Sequence, residues 1–322
     1  MPPLPPSEHA SLIEWLSQIP DNLLLSQLSI PGTHNSSAHH LSLPSVQCQG
    51  TSVTDQLRHG VRFFDFRVAK PFLTNCGNAF GSSPDDLQVV HGSFPVRLPF
   101  PVKLEDELNE IYAFLQQHPT ETAIVSIKME GDTSVWQGDD FPNLIWNRYV
   151  GPSQDRWFLE NRIPQMGEAR GRAILFRRFG LKENAIRNDS NFGFEAAWWK
   201  YNTPEDDRGR FVVQDWNEVN SPEDIQKKVH YINAQVERAV SYNATAESTQ
   251  GDTAKFYVNF CSGSNFWDPR CWPKGVAKGV NANIEANSNG MGFIIIDYAE
   301  TRDWEIPRKL VAHSLQVARK HG

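Results

Sequence analysis

A chain of 322 residues, with 39% hydrophobic and 21% charged residues, can bury a large core, which argues against a disordered or fibrous protein. Its net charge of −7 argues against a general nucleic-acid binder, although local basic residues can still meet a phosphate. Four cysteines, Cys48, Cys76, Cys261 and Cys271, have neither the short paired spacing of a zinc site nor the density of a disulfide scaffold. The start lacks the basic and apolar regions of a signal peptide, and no apolar stretch approaches the length of a membrane span. As written the chain is expected to be cytoplasmic, or secreted if a signal has been removed, and monomeric.

The first six residues are rich in proline and read as an extended tail, with 1–7 flexible. Residues 8–18 carry Leu12, Ile13 and Leu16 at helical spacing. Next comes an apolar run, Leu28 to Ile30, that closes on Pro31 and Gly32 and presents His34 and Asn35 among small polar residues. His39 and His40 follow in a loop and read as solvated, since no carboxylate or cysteine sits at ligand spacing. A short helix is predicted from Thr54 to His59, an irregular loop over 70–86 and a longer amphipathic helix from Lys103 to His118. Shorter helical pieces are expected over Phe141 to Val150 and Asp155 to Asn161, then a long polar excursion over 180–209 containing Trp198 and Trp199. Ser221-Pro222-Glu223-Asp224 opens a helix to about Val240, and a final helix covers about 305–319.

Between these helical patterns lie eight apolar, β-branched or aromatic runs. They are Leu28 to Ser36, Arg62 to Arg67, Leu87 to Gly92, Ala123 to Lys128, Arg172 to Arg178, Phe211 to Asp215, Phe256 to Cys261 and Gly292 to Asp297. Near-continuous hydrophobicity over so few residues suits strands buried on both faces of a parallel sheet. Eight of them predict a (β/α)8 TIM barrel of the α/β class, one domain over 1–322, with no internal repeat. Nearly every run ends on an ionisable residue, and in a barrel those ends converge on one rim.

Two histidines, an arginine and several carboxylates at one rim meet the needs of phosphodiester cleavage by an internal hydroxyl. A neutral imidazole removes the hydroxyl proton, a protonated one supplies the leaving alcohol, and a guanidinium offers paired donors to the phosphate oxygens. Each histidine needs a partner that fixes its tautomer, for which Asp297 and Asp65 are candidates. That chemistry needs no metal and no other cofactor.

The motifs Ile30-Pro31-Gly32-Thr33-His34, Asp65-Phe66-Arg67, Val90-His91-Gly92, Ser126-Ile127-Lys128, Arg177-Arg178-Phe179, Val213-Gln214-Asp215 and Ile296-Asp297-Tyr298 occur in this order along almost the whole chain. In these the chain resembles the bacterial, calcium-independent phosphatidylinositol-specific phospholipases C, whose fold is a distorted barrel. The resemblance implies that His34 is the general base, oriented by Asp297, and His91 the general acid. It further implies that Arg67, with Asp65 beside it, holds the phosphate, and that Lys128, Arg178 and Asp215 bind inositol hydroxyls. Diacylglycerol would leave and a cyclic inositol phosphate form. Arg67 and Lys128 stand where the calcium-dependent branch has acidic ligands, so no metal is expected. Two departures stand out: Asn35 replaces an aspartate that assists the acid, and Asn217 replaces an aromatic platform for the inositol ring. The loop after the seventh run carries Phe266, Trp267 and Trp272 between prolines, where the resembling enzymes touch bilayers, so a transient peripheral contact with a phosphatidylinositol-containing membrane is expected. Alternatives are a glycosyl-phosphatidylinositol or another lipid phosphodiester as substrate, or a lipid-binding relative with little turnover.

Overall fold

In the computed structural model, residues 12–71, 83, 85–285 and 290–321 are described. The apolar runs form one curled sheet. Its strands are β1 (Ser29–Thr33), β2 (Phe63–Ala69), β3 (Gln88–His91), β4 (Phe94–Pro95), β5 (Ala123–Met129), β6 (Trp157–Phe158), β7 (Ala173–Arg178), β8 (Phe194–Glu195), β9 (Thr203–Asp207), β10 (Phe211–Asp215), β11 (Phe256–Phe260) and β12 (Gly292–Ile296). The path runs β6-β7-β5-β2-β1-β12-β11-β10-β9, with β8 on the end of β7 and the β3–β4 hairpin hanging from β2. Seven of the eight expected runs, β1, β2, β5, β7, β10, β11 and β12, pair in parallel with one another.

The run Leu87 to Gly92 departs from expectation. Its strand, β3, lies antiparallel to β2 and turns through Gly92, at φ +62°, into β4. Apolar composition reports burial but not direction, and Val89 finds its burial in a small cluster with Ala38, Cys48, Val96 and Val102 at the rim. Among the described residues no strand pairing joins β7 or β8 to β9 or β10, so the barrel stays open there. Phenylalanines fill the interior and span that opening: Phe194 stands 6.2 Å from Phe211 and 4.9 Å from Phe256, and Phe176 meets Phe63 and Phe293. On the other side, a Cβ on Gly32 would come within 3.0 Å of Ile295 and Phe63, so glycine lets β1 sit close between its neighbours.

The expected helices appear as α1 (Val53–Arg58), α2 (Leu104–Gln117) and, later, α5 (Asp224–Asn243), after two short pieces α3 (Asp140–Leu144) and α4 (Met166–Ala169). The last two are α6 (Pro273–Asn281) and α7 (Thr301–His321), whose first turn is irregular, with positive φ at Arg302, Asp303 and Trp304. Over 8–18 the described part is helical at Leu12 and Ile13 and continues as a tight turn at Trp15–Gln18, and the tail over 1–7 lies outside the described residues, as does most of the 70–86 loop. The helix expected from Asp155 to Asn161 is absent. There the chain makes a turn, Gly151–Arg156, and then β6, because Trp157 and Phe158 bury against the start of β7. The excursion over 180–209 is likewise not irregular throughout, since β8 and β9 lie in it.

At the N-terminal end of the barrel, Arg62 and Glu121 form a fully buried pair, with Arg62 Nη2 2.6 Å from Glu121 Oε2. The remaining guanidinium donors reach the carbonyls of Leu57, Val61 and Ile13, and Glu121 accepts from the backbone of Ser17. Every donor of a buried cation is thereby occupied, which is the condition under which such a pair holds a fold together.

Candidate active site

Parallel register builds one wall of the site. Arg67, Lys128 and Arg178 are direct partners across β2, β5 and β7, so three cations from distant parts of the chain stand in a row at one rim. One layer below, Asp65 is fully buried and accepts from Arg67 Nε at 3.0 Å, Ser126 Oγ at 3.1 Å and Arg178 Nη1 at 3.3 Å. Burial alone would push its carboxyl up, but Arg67, Arg178 and Lys128 outweigh that and hold it below the usual carboxylate range.

His34 follows β1 and is buried. Its Nδ1 lies 2.8 Å from Asp297 Oδ1, and Gln49 Nε2 donates to the carbonyls of His34 and Ile296. Asp297 follows β12, so the pairing of β1 with β12 brings the two together. Burial, then Arg67, His91, Lys128 and Arg178, depress the His34 pKa well below 6.5, which keeps the imidazole neutral and able to take a proton. His91 enters from the opposite side on the β3–β4 hairpin, its ring 5.7 Å from that of His34 and edge-on to it. His91 Nδ1 is 2.9 Å from the Val46 carbonyl, so Nδ1 carries hydrogen and Nε2 is the other titrating atom.

Both histidines, Arg67, Lys128, Asp215 and Asp297 line one open cavity of about 500 Å³. Asp215, at the end of β10, accepts from Trp199 Nε1 at 3.0 Å and Asn217 Nδ2 at 3.4 Å. The guanidinium of Arg178 stacks 4.0 Å over Trp199. An anionic group held by cations and flanked by two imidazoles, with a polar pocket beyond, describes what this cavity can receive.

Residues 23–179 match the model of the family described as phosphatidylinositol-specific phospholipase C, X domain. This stretch, just under half of the chain, is where the family's features lie. A 1-phosphatidylinositol phosphodiesterase of Listeria monocytogenes is 25% identical over 301 residues, covering 89% of this chain and 81% of that one. The fold superposes on a mutant phosphatidylinositol-specific phospholipase C from Staphylococcus aureus with a TM-score of 0.71 at 22% identity, covering 95% of this chain and 99% of the other. For the Listeria monocytogenes enzyme the TM-score is 0.66 at 22% identity, over 94% and 98%. These matches are to distorted TIM barrels, and they agree with the fold described above.

Several residues that shape the site have little mark in the sequence pattern alone. Glu130 accepts from Lys128 Nζ at 2.9 Å and from the Gly92 backbone at 2.6 Å, and lies 3.4 Å from Arg67; despite burial, these cations draw its pKa down to about 2. It was legible in principle, being two residues beyond Lys128 at the end of the same strand. Lys228 is fully buried in α5 and donates to the Trp216 and Phe260 carbonyls at 2.5 Å each, tying the ends of β10 and β11; burial lowers its pKa to about 8. Trp199 belongs to the site and not to the surface. Asn35 is fully buried in a left-handed conformation, φ +43°, with its side chain against the Cys48 thiol and no bond to His91. His39 and His40 are half-buried with ring centroids 3.8 Å apart and planes tilted by 38°, and neither lines the cavity.

The rim loop divides its aromatics. Trp267 is 86% exposed and Phe266 47%, whereas Trp272 is half-buried and its ring N–H closes the loop onto the Phe266 carbonyl. Phe266 stacks on Phe94 of the β3–β4 hairpin at 6.2 Å, and the exposed Leu98 and Phe100 continue along that hairpin's connection.

Proposed function

We propose that this chain cleaves phosphatidylinositol into diacylglycerol and inositol 1,2-cyclic phosphate without a metal. The observation that carries the reading is the pair of histidines with rings 5.7 Å apart beside Arg67, each with Nδ1 bound and Nε2 the remaining ring nitrogen. His34 Nε2 takes the proton of the inositol 2-hydroxyl as its oxygen attacks phosphorus, and Asp297 holds the ring in the required tautomer. Arg67 donates to the non-bridging oxygens as negative charge grows, with Asp65 and Glu130 fixing its fork. His91 Nε2 gives its proton to the departing glycerol oxygen. Lys128, Arg178 and Asp215 bind ring hydroxyls, while Trp199 braces the last two. The curated relative's name specifies phosphatidylinositol as its substrate.

The test is purified protein on phosphatidylinositol with excess chelator, followed by phosphorus NMR. Cyclic inositol phosphate is expected at a rate unchanged by added Ca²⁺. Activity that vanishes in chelator and returns with Ca²⁺, or no turnover at all, would sink the reading.

Burial and Arg67 also depress the pKa of His91, which must be protonated to act. Its active form is therefore lost as pH rises through a value below 6.5, and that of His34 is lost only as pH falls through a lower value still. The profile of kcat/KM is expected to peak below about pH 6.5. Asn35→Asp, placing a carboxylate beside Cys48 and hence near His91, should move the alkaline limb up by about one unit. A limb unmoved by this substitution would show that residue 35 does not act on the acid.

Access to a lipid substrate is assigned to the exposed aromatic rim, since among the described residues no helix is long and apolar enough to cross a membrane. Trp267→Ala is expected to weaken binding to phosphatidylcholine-containing vesicles by about 1–3 kcal/mol, while hydrolysis of a short-chain monomeric substrate changes little. Equal losses in both assays would make the loop structural. A Staphylococcus aureus enzyme of this fold has itself been studied for its membrane binding.

A further inference from the structure

Behind His91, outside the residues that line the cavity, lies a thiol that the proposed reaction does not use. Cys48 is fully buried, with Sγ 3.5 Å from His91 Nδ1 and 3.5 Å from the Val46 carbonyl. One ligand atom each from His34, Cys48 and Asp297 lie within 4.8 Å of one another. One further observation marks this cluster. Asp297 Oδ2 is buried with no partner in hydrogen-bonding geometry among the described residues, its carboxyl lying next to the Cys48 thiol. Buried polar atoms rarely stay unpaired unless something else satisfies them.

We propose that His34, Cys48 and Asp297 form a binding site for a thiophilic divalent cation such as Zn²⁺, and that its occupancy switches the enzyme off. Nitrogen, sulfur and oxygen donors suit zinc, with bonds of about 2.0–2.3 Å, and the three atoms need only close by roughly 1 Å to meet one ion. The thiol gives its proton to solvent as sulfur binds. Capturing the imidazole and the carboxylate removes the hydrogen bond that fixes the His34 tautomer, so the base is lost.

The neighbouring charges permit this. Arg67, Lys128 and Arg178 are matched by Asp65, Glu130, Asp215 and Asp297, and Arg67, Lys128 and Arg178 each lie in an ion pair with a carboxylate. Hard cations are another matter, because Ca²⁺ seeks six to eight oxygens and gains nothing from sulfur or imidazole. A chain indifferent to calcium can therefore still be inhibited by zinc.

The experiment uses the full chain and Co²⁺ as a spectroscopic probe, without substrate. One equivalent of Co²⁺ should produce a thiolate-to-cobalt charge-transfer band that Zn²⁺ abolishes. In Cys48→Ser the band should vanish and the Zn²⁺ affinity fall at least about tenfold, whereas Cys271→Ser should keep both. A parallel assay on phosphatidylinositol, which alone rests on the proposed activity, should show Zn²⁺ inhibition that chelator reverses and that weakens by the same factor in Cys48→Ser. No band in the native chain, or a band and affinity unchanged in Cys48→Ser, would overturn the site, whatever the substrate proves to be. If Cys48→Ser does not fold, thermal melting decides: Zn²⁺ must raise the melting temperature of the native chain and leave that of Asp297→Asn unmoved, and the reverse refutes the proposal.

Discussion

Replacing His34 with alanine is expected to lower turnover on phosphatidylinositol by about a hundredfold or more, and replacing His91 to do the same, with circular dichroism unchanged in both variants. The two losses should differ in kind. His34 takes a proton from the attacking hydroxyl, so its loss persists whatever leaves. His91 gives a proton to the departing oxygen, and a substrate whose leaving group is stable as an anion, such as a nitrophenyl ester of inositol phosphate, needs none. His91→Ala should therefore recover most of its rate on that ester, and His34→Ala should not. Equal recovery in both variants, or near-normal turnover in either on the natural lipid, would remove the acid–base assignment. The geometry behind the expectation is that the rings stand 5.7 Å apart, each with Nδ1 already engaged, by Asp297 or by Val46.

Arg62→Met is expected to destabilise the fold by about 3–5 kcal/mol, measured as a shift in the urea midpoint at constant slope. The substitution leaves the Glu121 carboxylate buried without its cation and strips donors from the Leu57, Val61 and Ile13 carbonyls. This pair sits at the end of the barrel away from the cavity, and neither residue lines it. At temperatures where the variant stays folded, kcat should therefore be close to native. A midpoint shift worth less than about 1 kcal/mol would mean that the pair contributes little beyond an apolar contact.

Strand positions were legible because burial on both faces leaves a local mark: short runs of Val, Ile and Phe bounded by charge. Seven parallel strands and the helices over 53–58, 104–117 and 224–243 follow from that mark and from helical periodicity. Chain direction leaves no such mark, which is why Leu87 to Gly92 read as a barrel strand although β3 runs antiparallel. The same limit applied to Trp157 and Phe158, whose burial in a two-residue strand looks the same in sequence as burial in a helix turn.

At the site, the sequence by itself determined which ionisable side chains close the apolar runs, since His34, Arg67, Lys128, Arg178, Asp215 and Asp297 each lie at or just beyond the end of one. Only the tertiary structure decided how they meet. The alignment of Arg67, Lys128 and Arg178 comes from the hydrogen-bond register between strands, and the His34–Asp297 pair from the adjacency of β1 and β12. Trp199 under Arg178, Glu130 against Gly92, and Cys48 beside Asn35 join segments separated by loops whose course no local pattern encodes. Hydrophobic alternation is a property of neighbouring residues, whereas register and loop course are settled by the packing of the whole sheet.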